Sequence, residues 1–96
     1  MTARIIMTAD AVPRLAPHMR LKQDMARGLW SIQAPERAFI LDEIAHAIVA
    51  RCDGKASLAA IVDGLCADFP GAPRETVERD VLSLLQDFAD KGVIAA

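Results

Sequence analysis

A chain of 96 residues, 53% hydrophobic and with a net charge of −2, has material for one modest core and excludes a second independent domain. No apolar run approaches the roughly 18 residues needed to span a bilayer, and the opening MTARIIMTAD is too short in apolar residues for a secretory signal. A cytoplasmic protein without membrane contact is expected.

Residues 1–18 show no sustained period and carry Pro13 and Pro17, so they read as an irregular N-terminal arm with VPRLAP partly extended. From Met19 the pattern alternates. Met19, Leu21, Gln23 and Met25 share one face, with Arg20, Lys22 and Asp24 on the other, which is the pattern of a half-buried strand. Gly28 can take the positive φ of a short hairpin loop. Trp30, Ile32 and Ala34 then face one way in a second strand, and Pro35 suits the second position of a type I turn over residues 34–37. The third strand, RAFIL, is short and apolar on both faces.

Three helices follow. Asp42 can cap one whose stripe is Ile44, Ala45, Ile48, Val49 and Cys52, ended by Asp53-Gly54. Ser57 can cap a second with Leu58, Ile61, Val62, Leu65, Cys66 and Phe69 inward, stopped by Pro70-Gly71. Pro73 opens the longest as its first-turn proline, with Val77, Val81, Leu84, Leu85 and Phe88 inward, Leu82 and Ala89 widening the stripe, and Lys91-Gly92 at its end. Phe69 and Phe88 are expected in a shared core. The expected fold is α+β: a three-stranded antiparallel N-terminal sheet followed by a three-helix bundle, with residues 19–96 as a single winged-helix-like domain.

The chain carries no motif for chemistry. It has no glycine-rich phosphate loop, no G-x-S-x-G and no H-E-x-x-H. Cys52 and Cys66 form no C-x-x-C, and neither His18 nor His46 stands in ligand spacing with them, so neither a metal nor a cofactor is expected. The spacing leaves a disulfide open, although reduced core thiols fit a reducing compartment better. His46 falls off its helix's apolar stripe and reads as a solvated surface residue, and Trp30 as core. No catalytic residue and no enzyme activity are expected.

Charge is uneven along the chain. Residues 1–41 hold six bases against three acids, net +3, and residues 42–96 hold five against ten, net −5. The second and third helices resemble a helix-turn-helix with the sheet as a wing, so a winged-helix DNA-binding regulator is the alternative reading. Residues 73–91, however, hold three bases (Arg74, Arg79, Lys91) and five acids, and a recognition helix needs cations to replace counterions on phosphate. Nucleic acid is therefore not an expected partner.

An edge remains. In a meander the outer strands each have an unpaired side. The first is guarded by Arg20, Lys22 and Asp24, whereas Ala38, Phe39, Ile40 and Leu41 carry no charge, and Arg37 stands only at their start. Burial of both faces would explain that strand. So would β-augmentation, in which a partner peptide adds a strand and a helix flank supplies pockets. Pairing of the edge with its own copy, giving a homodimer, is a third possibility.

The string VPRLAP…RLKQD…RG.W…APER…CDG…FPG…DV..LL…KG, over residues 12–94, resembles the PqqD family of pyrroloquinoline quinone (PQQ) biosynthesis. Its most specific pieces are Arg27-Gly28, Ala34-Pro35-Glu36-Arg37, Cys52-Asp53-Gly54 and residues 77–85. The resemblance implies a winged-helix-like precursor-peptide recognition element that is not an enzyme. Such proteins act as chaperones that bind the ribosomal peptide PqqA and present it to the radical SAM enzyme PqqE, which cross-links a Glu and a Tyr within it. It also implies a peptide lying against the third strand and beside the third helix. On this chain those are Arg37, Ala38, Phe39, Ile40 and Leu41 and the flank of residues 73–91, where Val81, Leu82 and Leu85 are expected contacts and Arg74 a carboxylate partner.

Overall fold

The alternating segment folds as a meander because each of its strands has one apolar face to bury. The computed structural model describes residues 4–34 and 37–96. Its elements are β1 (Arg14–Leu15), β2 (Arg20–Asp24), β3 (Leu29–Gln33), β4 (Ala38–Leu41), α1 (Glu43–Val49), α2 (Leu58–Asp68), α3 (Arg74–Asp90) and β5 (Ile94–Ala95). β2, β3 and β4 pair antiparallel in that order, with Leu21 opposite Ile32 and Ile32 opposite Phe39. The expected α+β architecture is present.

Local chemistry shapes the turns. The Asp24 carboxylate accepts from the N–H groups of Ala26 and Arg27 at 3.0 and 3.2 Å, and Gly28 closes the loop at φ +67°. Ala34 and Arg37 exchange backbone hydrogen bonds of 2.8 and 3.4 Å. The type I turn expected on Pro35 and Glu36 lies outside the described residues.

Helix caps follow the expected residues. Asp42 Oδ1 accepts from Ala45 N–H at 2.7 Å, and Ser57 Oγ accepts from Ala60 N–H at 3.1 Å. Each satisfies an amide that a helix start leaves unpaired. Pro73 is the N-cap of α3, one position before the first turn. The core joins Ile32 and Leu41 of the sheet to Ile48, Val49, Leu58, Ile61, Val62, Leu65, Val81, Leu85 and Phe88 of the helices. No described helix is long and apolar enough to cross a membrane.

Four expectations need correction. First, α1 stops at Val49. Cys52 is buried from the loop beyond it, its Sγ donating to the Ile48 carbonyl at 3.4 Å, while Gly54 takes φ +77° and the Asp53 carboxylate turns the chain through Lys55 and Ala56. Second, Ile44 is 49% exposed, because α1 begins directly at the end of β4 and its first turn overhangs the core. Third, Phe69 is only half-buried, whereas Phe88 is buried as expected. Fourth, His46 is not a free surface residue: its ring stacks on Trp30 with centroids 4.2 Å apart and planes 12° from parallel.

The arm is irregular with VPRLAP partly extended, as expected, and it is also built into the core. Met7 and Pro13 are buried, β1 pairs with β5, and the amides of Leu58 and Ala59 donate to the carbonyls of Ala11 and Ala9 at 2.7 and 3.1 Å. The Gln86 carboxamide of α3 accepts from Met7 N–H and donates to the Ile5 carbonyl, each at 2.8 Å, so it pairs with extended backbone as a neighbouring strand would. Arg4 completes the attachment with two 2.9 Å bonds to Asp90. Nothing periodic in the arm announces this, because it is held by its backbone rather than by a repeating apolar face.

Candidate functional site

β4 is an edge strand, and among the described residues no strand pairs with its outer side. Its hydrogen-bond phase follows from the Ala34–Arg37 pair. Antiparallel pairs alternate between bonded and non-bonded, so Phe39 bonds to Ile32, Leu41 bonds to Trp30, and the N–H and C=O groups of Ala38 and Ile40 turn outward. The side chains of Phe39 and Leu41 point inward, Leu41 buried and Phe39 half-buried. Ala38 and Ile40 face solvent, Ile40 being 69% exposed. Residues 38–41 therefore present a two-residue template of free donors and acceptors.

α3 runs antiparallel to β4 alongside this edge. At one end Arg37 Nη2 donates to the Lys91 carbonyl at 3.3 Å, and both cations lie over the Phe39 ring, at 5.3 Å for Arg37 and 6.0 Å for Lys91. The Phe39 ring meets Phe88 with centroids 5.9 Å apart. At the other end, Asp42 and Ile44 face Asp80, Ser83, Leu84 and Asp87 across an open groove of about 600 Å³. Six residues from Arg37 to Asp42 and one α3 flank from Lys91 back to Asp80 both span roughly 17 Å, so strand and helix are matched in length. The charged residues lining the groove are acidic, and the bases Arg37 and Lys91 lie at the other end of β4.

The structure sorts the sequence-derived site residues into three groups. Arg37, Ala38, Phe39, Ile40 and Leu41 lie together on the edge. Val81 and Leu85 are fully buried beneath it, at 1% and 0% exposure, and act as packing. Arg74 and Leu82 sit on the other flank of α3, lining a cleft with Met7, Ala9, Leu58 and Val62. Arg74 is engaged there by Asp63 at 2.6 Å, and that bond raises the guanidinium pKa further. Leu82 and Leu84 are two positions apart, about 200° on the helix wheel, which puts them on opposite sides.

The residues of α3 that do face the β4 side are Asp80, Ser83, Leu84, Asp87, Phe88 and Lys91, none of them among the contacts expected on that flank. Leu84 and Phe88 read as core because the stripe containing them is apolar. Only the antiparallel crossing of α3 past β4 turns one border of that stripe toward the edge. Ile44 was legible only as a residue of the α1 stripe.

An α+β fold with an apolar edge strand that no described strand covers, and a helix running antiparallel to it at matched length, has the form of a small recognition domain. Residues 30–94 match the family model for Coenzyme PQQ synthesis protein D (PqqD). The chain is 46% identical over 91 residues to the PqqA binding protein of Rhodopseudomonas palustris (strain ATCC BAA-98 / CGA009), covering 95% of this chain and 88% of that one. It is 41% identical over 75 residues to the PqqA binding protein of Gluconobacter oxydans (strain 621H), covering 78% and 77%. The solution NMR structure of the PqqD truncation of Methylobacterium extorquens PqqCD, described as a functional and stand-alone RiPP recognition element, superposes with a TM-score of 0.79 at 32% identity, covering 94% of this chain and 95% of that one. The crystal structure of PqqD from Xanthomonas campestris gives 0.55 at 39% identity, with 88% and 93% covered. The chain belongs to the PqqD family.

Proposed function

We propose that this protein holds the ribosomal precursor peptide PqqA as a strand added to the outer edge of β4, with α3 alongside, and presents it to the radical SAM enzyme PqqE. The observation that carries this reading is the outward phase of the Ala38 and Ile40 backbone on an edge that no described strand covers. Added strands gain affinity from main-chain hydrogen bonds and specificity from pockets for alternate side chains. β4 supplies the first, and the groove between α1 and α3 supplies the second. The names of the relatives support the peptide's identity. The protein positions the peptide and leaves its chemistry to the enzyme, in the cytoplasm where the peptide is made.

Titration of ¹⁵N-labelled protein with synthetic PqqA tests this. Binding near 1 μM, about −8 kcal/mol, is expected. The largest amide shifts should fall at residues 38–42 and along the Leu84–Lys91 side of α3. Added PqqE should then join the labelled complex and broaden its signals. Shifts confined to the cleft between the arm and α2 would move the site away from β4.

A further inference from the structure

The groove beside α3 has a neighbouring cavity. Ile44, Ile48 and Asp80 also line a second, nearly wholly apolar pocket of about 160 Å³, closed on its far side by Phe69, Ala72 and Val77. Apolar cavities of about 150 Å³ hold one benzene-sized group. The two spaces are neighbours that share Ile44, Ile48 and Asp80 as lining. An isoleucine at 49% exposure on an otherwise core-facing stripe leaves apolar area for something else to cover.

The chemistry of the rim narrows what that is. Asp42 and Asp80 line the groove where it leaves β4, while Arg37 and Lys91 mark the opposite end of the edge. Asp87 is matched by Lys91 at 2.9 Å, and Asp42 is committed to its helix cap. A strand added along β4 would carry its inward side chains over Leu84 and past Asp80 before reaching the pocket.

We infer that the pocket between α1, α2 and α3 is a specificity pocket for one leucine- or phenylalanine-sized side chain of the bound peptide. That side chain is followed or preceded within two residues by a lysine or arginine that sits over Asp80. An acidic stretch of the same peptide lies at the Arg37–Lys91 end of β4, so opposite charge at the two ends of the edge sets the direction of the strand. The inference rests on the peptide-binding reading above and deepens it.

The test is a double-mutant cycle on the same synthetic PqqA. Each apolar peptide residue is changed to Ala and titrated against wild type and against Ala72→Phe, whose ring fills the pocket. One peptide position is expected to lose at least tenfold in affinity on wild type and little on the filled variant. Asp80→Asn should weaken binding several-fold, with the loss shrinking as salt rises. Intermolecular NOEs from that side chain to the Ile48 and Val77 methyls give the same answer without altering the protein, should Ala72→Phe fail to fold. Binding with β4 shifts but no coupling and no NOEs would overturn the pocket and leave the peptide reading intact. A concentration-dependent dimer that Ala72→Phe dissolves would make a second copy the occupant and also overturn it. Absence of any PqqA binding to wild type would remove the functional reading itself, and the pocket assignment with it.

Discussion

Phe39 of β4 and Phe88 of α3 meet at 5.9 Å between centroids with ring planes 60° apart, and this contact ties the edge strand to the long helix. Tilted pairs of this kind contribute about 0.5–1.5 kcal/mol beyond their buried area. Phe88 is buried, so Phe88→Ala should destabilise the fold by about 3–5 kcal/mol and loosen β4. Phe69→Ala, at a half-buried pocket wall, should cost only about 1–2 kcal/mol. Denaturant melts of the two variants check the ranking, and equal losses would show that Phe69 carries more of the core than its exposure indicates.

Proline substitution reads the phase of the edge. Phe39→Pro removes a donor to Ile32 and should unfold or strongly destabilise the sheet. Ile40→Pro removes an outward donor and should leave the fold largely in place while reducing peptide affinity at least tenfold. Circular dichroism and titration of both variants separate folding from binding. Full affinity in Ile40→Pro would place the peptide elsewhere.

Leu82→Asp distinguishes the two flanks of α3. The side chain is 39% exposed beside Met7, Ala9 and Val62, away from β4. The carboxylate should stay partly hydrated, cost about 1 kcal/mol and loosen the arm, with peptide affinity changed less than twofold. Lost binding in a variant that melts like wild type would return the site to that flank.

The arm should loosen in acid. Asp90's carboxyl is held below the usual carboxylate range, chiefly by its hydrogen bond from Arg4 and then by that from Gln86. A depressed carboxylate adds stability above its unfolded pKa and loses it as pH falls through the folded value. Amide exchange at Met7, whose N–H is held by Gln86, should therefore rise below about pH 4 relative to α2 amides, after correction for intrinsic rates. Asp90→Asn should show the raised exchange already at neutral pH.

The two thiols should differ in reactivity. Burial, helped by the nearby Asp53 charge, pushes Cys52 up from 9.0 to about 12, whereas Cys66 is half-buried. The thiolate is the reactive form, so a maleimide at pH 8 should label Cys66 well before Cys52, as read by peptide mapping. Because the unfolded thiol ionises first, stability should fall as pH rises from about 9 toward 12.

The local elements are written in short stretches of the chain. Period-2 alternation, Gly28, Asp42 and Ser57 each act within a few residues, and the meander, the caps and the α2 stripe all follow from them. β4 is legible in the sequence as the uncharged edge, since charge on a short strand can be read directly. Which flank of α3 meets that edge is set by long-range packing. The choice depends on a crossing between segments some fifty residues apart, and an apolar stripe looks the same whether its border faces core or groove. The arm and the pocket beside Ile44 were hidden for a related reason. Gln86 holds its partner through backbone groups, which every sequence has, and Ile44 is exposed only because α1 starts where β4 stops.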